Sequence, residues 1–334
     1  MPTFPILPTE IWMQIVDALR YPSNPLAYRL DPGCNSALYQ LCRVNRTLNE
    51  LTEMTLYSRA FVRPGSLDSF VRAVTIVERN QWPPSSYRPS EKGKLVESLA
   101  LAHFDDHIDH STMQLIATIL CALRTSLTRL FFDVNIGYNY PTDRLRQPLY
   151  PKSELNIHHA LMSLERIEEF CLAKPVVFDG PKIPAWKTLK RLAVHKIFLD
   201  ASLLRLMSQM DTLETCILVR PDMGALRFRR WDGDDMFNGS WTQHAQELII
   251  TVMGLDGDAI VDALVRGEVR LTRFQSVAVR ESRKRRPGMS VLKLMEEHEW
   301  NSDLWFFQNL LSGEIWGKDR IPWAEYRHRS KGVH

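Results

Sequence analysis

The densest set of chemically capable side chains lies in one phrase, HFDDHIDH, which brings together His103, Asp105, Asp106, His107, Asp109 and His110. Imidazoles and carboxylates in that mixture can ligate zinc or a pair of divalent cations. A metal-dependent hydrolase built on His103, His107 and Asp106 is the activity such a cluster would serve. The spacing argues against it. His103 and His107 share a face only on a helix, whereas this phrase follows a strand-like segment and precedes a helix start at Ser111. A loop carrying negative charge toward a helix N-terminus is the reading adopted. WDGDD places Asp232, Asp234 and Asp235 together. The glycine and the closing glutamate of a calcium loop are missing there, so a polar turn is expected.

Other chemistries lack their signatures. The chain has no phosphate-binding, dinucleotide-binding, serine-hydrolase or zincin motif. Its five cysteines, Cys34, Cys42, Cys121, Cys171 and Cys216, are scattered without a C-x-x-C pair, which suits reduced structural thiols. No catalytic residue, metal or cofactor is therefore expected. RESRKRRP concentrates Arg280, Arg283, Lys284, Arg285 and Arg286, either as a solvated loop or as an import tag or acidic-partner contact. The 334 residues carry a net charge of only +3, with 45% apolar and 24% charged residues. That is globular usage without a dominant basic face, so neither a disordered chain nor a nucleic-acid binder is expected. Nor is a membrane partner expected, because no apolar run approaches the roughly 18 residues of a spanning helix and the start lacks a basic leader. A cytoplasmic or nuclear location follows as an expectation.

The elements that must position these residues fall into two regimes. Up to about residue 60 the apolar spacing is helical. Ile11, Ile15 and Leu19 predict a helix over 8–20, with Pro8 suited to its first turn. Leu38, Leu41, Val44, Leu48 and Leu51 predict a second helical run over 36–57, after a break at YPSNP and DPG.

Beyond residue 70 a phrase recurs, an aliphatic residue followed by two alternating apolar ones. It reads Val71-Val74-Ile76, Val96-Leu99-Leu101, Leu127-Leu130-Phe132, Ile167-Phe170-Leu172, Leu189-Leu192-Val194, Leu213-Cys216-Leu218, Ala245-Leu248-Ile250 and Leu271-Phe274. Each phrase ends in the alternation of a short strand. Helical runs stand between several of them, opened by Ser111, Ser153, Asp200 and Asp256. Strand and helix in alternation predict parallel strands joined by crossovers. The repeated phrase favours a solenoid over a doubly wound sheet.

The opening LPTEIWMQIVDAL, followed after an insertion by ALYQLCRVNRTLNELTEMTLYSRAF, resembles the F-box. Leu7, Pro8, Glu10, Ile11, Ile15, Leu19, Leu41, Val44 and Leu48 carry the match. The insertion from Tyr21 to Asn35 is longer than the family's usual turn, and Thr47 stands where many members have an aromatic residue. The remainder resembles the irregular leucine-rich repeats that follow the F-box in many fungal and animal proteins, without a visible asparagine ladder. The resemblance implies an α/β chain in three parts: an F-box-like helical domain (1–60), a leucine-rich-repeat solenoid with a parallel sheet (61–280), and a basic loop with an aromatic helical cap (281–334). It also implies a substrate-recognition subunit of an SCF-type ubiquitin ligase. The F-box would bind the Skp-type adaptor of the cullin–RING ligase, and the repeats would hold a protein client. A plain interaction scaffold is the alternative from a different class.

On this reading Leu7, Pro8, Ile11, Trp12, Ile15, Leu19, Leu41, Val44 and Leu48 form the adaptor face. The helices have more apolar surface than they can mutually cover, although any single residue could instead pack internally. For the repeats, alternation puts Leu99 and Leu101 in the core and the intervening residues on the open face. An apolar stripe through Phe131, Cys171, Ala193, Ile217 and Ile249, edged by Arg129, Glu169 and Arg191 and with His195 in the row of Arg191 and Ala193, is the expected client surface. The competing reading is that Arg129, Glu169 and Arg191 only pair with one another across adjacent strands. Phe306, Phe307, Trp300, Trp305, Trp316 and Trp323 are expected to close the solenoid's open end.

Overall fold

A computed structural model describes residues 7–20, 24, 26–76, 88–104, 108–134, 151–174, 186–195, 210, 212–219, 247–251, 274–275, 304 and 306–317. The chain begins with α1 (Thr9–Arg20), α2 (Pro32–Cys42) and α3 (Arg46–Ser58). α1 agrees with the apolar spacing. The second predicted run is instead two helices. DPG starts α2 rather than merely breaking the chain. Asp31 accepts hydrogen bonds from the Gly33 and Cys34 amides, and Pro32 occupies the first turn, where its missing N–H costs nothing. Asn45 then accepts from the Leu48 amide at 2.9 Å and opens α3. Val16, Leu30 and Leu38 form a small core with Leu19, Leu41, Leu51 and Leu56 packed against it.

Next come β1 (Arg59–Val62), α4 (Leu67–Val74), β2 (Thr75–Ile76), β3 (Arg88–Pro89), α5 (Glu91–Lys94), β4 (Ser98–Leu101), α6 (His110–Ala122), β5 (Arg129–Phe132), α7 (Pro151–Met162) and β6 (Glu169–Leu172). Four strands follow: β7 (Arg191–His195), β8 (Thr215–Val219), β9 (Glu247–Thr251) and β10 (Phe274–Gln275). A helical turn over 306–311 leads into a short 3-10 turn, Glu314–Gly317. Among the described residues no helix is long and apolar enough to cross a membrane.

The protein is an α/β chain with a parallel sheet. Among the described residues its eight strands lie in the order β1-β4-β5-β6-β7-β8-β9-β10, each parallel to the next. Among these described strands the order never reverses, and no switch point of the doubly wound kind occurs. β2 and β3 form a separate antiparallel pair.

One repeat phrase is placed differently from expectation. Val71 and Val74 belong to α4, and Thr75 and Ile76 lie outside the main sheet. The first strand of the sheet is RAFV at 59–62, in which only Ala60 and Val62 face the core. The other phrases coincide with β4 through β10.

Alternation divides the sheet as predicted. Leu99, Leu101, Leu130, Phe132, Phe170, Leu172, Leu192 and Val194 pack with α4, α6 and α7 in the main core. Threonines near the strand entries tie successive segments together. Thr128 Oγ1 donates to the Glu97 carbonyl at 3.0 Å, Thr188 Oγ1 to Ile167 at 2.7 Å and Thr212 Oγ1 to Leu189 at 2.9 Å. Each hydroxyl satisfies a carbonyl of the preceding unit where the chain bends into its strand.

The opposite face of the sheet is covered. Ala100, Ala102, Phe131, Cys171, Ala173, Ala193 and Ile217 form a second core with Tyr28, Phe306, Leu310, Ile315 and Trp316. The aromatic C-terminal segment therefore lies across the sheet face rather than only at an end. It is joined there by residues 26–28 from the insertion between α1 and α2. The Tyr28 amide donates to the Leu311 carbonyl at 2.9 Å, and Asn24 Nδ2 donates to the Ser312 carbonyl at 2.8 Å. Gly313 has φ +70°, and a Cβ there would lie 2.4 Å from the Leu26 carbonyl carbon. Only glycine fits that junction.

Candidate functional site

The helical unit presents much of its apolar surface outward. Leu7, Ile11 and Val44 are 41%, 38% and 62% exposed, and Pro8 is exposed beside them. Trp12, Ile15, Leu19 and Leu41 are half-buried, with Leu19 and Leu41 packed on the local core. Leu48 departs from the adaptor-face expectation. It is 1% exposed, because the Asn45 cap sets α3 in a register that turns Leu48 inward. Met13 and Met54, not singled out in the sequence, are 49% and 57% exposed and extend the apolar surface. Scattered exposed hydrophobics are ordinary, but several on one small unit mark a surface suited to a partner.

The expected client stripe is assembled in the predicted register. Phe131, Cys171, Ala193, Ile217 and Ile249 are successive partners across β5 to β9, and Arg129, Glu169 and Arg191 are the row beside them. The stripe is not open, however. Phe131 and Glu169 are fully buried, and His195 and Ile217 are 2% exposed. The second core covers them, which corrects their placement on a free concave surface. His195 Nδ1 lies 3.0 Å from the Ala173 carbonyl, with its ring stacked on Phe306.

The charged row pairs as the competing reading held. Glu169 Oε1 accepts from Arg129 Nη2 at 3.0 Å, and Oε2 accepts from Arg191 Nε at 2.8 Å. One carboxylate thus bridges cations on both neighbouring strands. Arg129 also donates to the Leu26 carbonyl and lies over the Tyr28 ring at 4.5 Å. Arg191 lies 5.8 Å from the Trp316 ring. Both covering segments are thereby fastened to the charged row. Burial alone would lower the Arg129 pKa, but Tyr28 and Glu169 outweigh it and the net shift is upward. Tyr28 Oη donates to Cys171 Sγ at 3.6 Å. Burial, with help from Glu169, pushes the thiol well above its ordinary value. Burial does the same to the Tyr28 phenol. Neither group is activated as a nucleophile, since activation needs the opposite shift.

In HFDDHIDH, Asp105, Asp106 and His107 lie outside the described residues. Asp109, not Ser111, caps α6, accepting from the Thr112 amide at 2.7 Å and the Ser111 hydroxyl at 3.0 Å. The side-chain hydrogen bond from Thr112 leads the causes that lower its pKa. His110 bonds Gln114 one turn along. His103 sits at φ +63° and does not continue a helix toward His107. Among the described residues no group of three metal-ligating side chains converges. WDGDD, RESRKRRP, Trp300, Trp305, Trp323 and the caps at Asp200 and Asp256 also lie outside the described residues. Ser153 falls inside α7, which starts two residues earlier at Pro151. No family model matches the chain, and neither a curated protein nor a solved structure matches it.

Proposed function

We propose that the protein is a non-catalytic substrate receptor of an SCF-type ubiquitin ligase, an F-box protein with irregular leucine-rich repeats. The exposed apolar set on the helical unit, Leu7, Pro8, Ile11 and Val44, carries the reading. Leu7, Pro8 and Ile11 belong to the Leu-Pro-x-Glu-Ile phrase, and Val44 to the later segment, through which the F-box resemblance assigns adaptor binding. The unreversed order of parallel strands, with threonines bonding one unit to the last, supports the solenoid half of the resemblance.

The mechanism is positional. Tethering adaptor and client to one chain raises the effective concentration of client lysines near the recruited conjugating enzyme. The client is held by the repeat body or its margins, since the central sheet face is occupied by the chain itself. Affinity capture of the intact chain beside a Leu7→Ala, Pro8→Ala, Ile11→Ala variant tests this. Loss of a Skp-type adaptor with client retained is expected. If the intact chain captures no adaptor, the scaffold alternative replaces the ligase reading.

A further inference from the structure

Among the described residues β1 is an edge strand, paired with β4 alone. Its free edge lines a groove of about 620 Å³, walled by α2 and α3 on one side and α4 on the other. The ladder bonds of β1 to β4 run through the carbonyls of Ser58 and Val62. Alternation along a parallel strand therefore turns the peptide groups of Phe61 away from β4. Unpaired strand edges are templates for another chain.

The charge lining this edge is one-sided. Arg29 and Arg63 lie against the Phe61 ring, at 5.3 and 5.5 Å from its centroid. Both arginines are exposed, and no ion pair holds either one among the described residues. Arg59 lines the groove as well. The carboxylate that reaches the groove, Glu53, is already held by Lys92. His103 packs edge-on to Phe61. Its pKa is lowered first by burial and then by Arg63, Arg29 and Lys174. Arg29 and Arg63 thus converge on the Phe61 ring with no carboxylate paired to either among the described residues.

We propose that this groove docks an extended acidic segment of a partner protein, which adds as a strand to the free edge of β1 and places its carboxylates against Arg29 and Arg63. Main-chain pairing would supply affinity, and the Phe61 ring with its two guanidinium groups would select acidic side chains at alternate positions. The proposal does not require adaptor binding, so the two stand or fall separately.

The test is fluorescence anisotropy with the full chain and a labelled eight-residue peptide alternating glutamate with valine or tyrosine. Binding should weaken at least tenfold for Arg29→Glu, Arg63→Glu, recover with lysine at both positions, and weaken with added salt. N-methylating every second peptide amide should abolish binding in one frame and spare it in the other. Circular dichroism of the charge-reversed variant should match the parent. The proposal is overturned if the acidic peptide does not bind, if a lysine-containing analogue binds equally, or if charge reversal leaves affinity unchanged. It is equally overturned if both N-methylated frames bind like the parent peptide, or if a single-stranded oligonucleotide binds in the peptide's place.

Discussion

Replacing Glu169 should be among the most damaging single changes in the sheet. The side chain is fully buried, and its two oxygens hold Arg129 at 3.0 Å and Arg191 at 2.8 Å, whose side chains are 12% and 25% exposed. Glu169→Ala removes the anion and leaves two guanidinium groups facing each other across a gap one strand wide. Breaking a buried pair in this way costs about 3–5 kcal/mol. Glu169→Gln keeps the volume and one acceptor, so its cost should be nearer the roughly 1.5–3 kcal/mol of charge-assisted hydrogen bonds. The combined change Arg129→Met, Glu169→Leu, Arg191→Met removes every charge at once and should return to within about 1 kcal/mol of the parent. Urea unfolding followed by far-ultraviolet circular dichroism measures all three. A cost below about 1 kcal/mol for Glu169→Ala, the value of an exposed pair, would refute the assignment of a buried bridge. So would a triple variant as unstable as the single one.

Other consequences can be measured in parallel. Gly313→Ala should loosen the junction between the C-terminal segment and residues 26–28, seen as faster hydrogen exchange of the Tyr28 amide, with exchange in β5 little changed. Cys171 should be the slowest of the described cysteines to react with a thiol reagent, and Gly313→Ala should accelerate it. Asp109→Ala should cost about 1 kcal/mol through loss of the α6 cap. Because the folded pKa of Asp109 is lowered, the capping contribution is present above the ordinary aspartate value of 3.8 and is lost as pH falls below it. The variant's acid unfolding curve should therefore approach that of the parent at the lowest pH. His103 is also lowered, but as a base: the unfolded chain holds more protons there, so stability rises with pH through the interval just below 6.5. His103→Gln should flatten that rise.

Much of the strand framework was legible in the residues. Leu-x-x-Leu-x-Leu phrases located β4 to β10 and set the row register, because a period of two admits one inward set when one face is aliphatic. The same pattern misplaced the first unit. Val71 and Val74 are spaced for a helix as well as for the phrase, while RAFV gave only two inward residues, too few to stand out. The reading of the open face failed for a different reason. Alternation tells which residues leave the core, not what later covers them. Tyr28, Phe306 and Trp316 come from segments far away in sequence, and no local pattern announces that they meet. The charge alternation of Arg129, Glu169 and Arg191 was readable as pairing, since adjacent strands in register bring opposite signs together. The groove beside β1 was invisible because Arg29 and Arg63 converge on Phe61 only after α2 and α3 are folded.

The most direct test of the proposed role is a binding titration of a purified Skp-type adaptor against the full chain by isothermal calorimetry. A saturable one-to-one complex is expected, weakened at least a hundredfold by Leu7→Ala, Pro8→Ala, Ile11→Ala and unaffected by Arg29→Glu, Arg63→Glu. Absence of heat and of a complex with the folded parent chain, or equal binding by the triple variant, would contradict it.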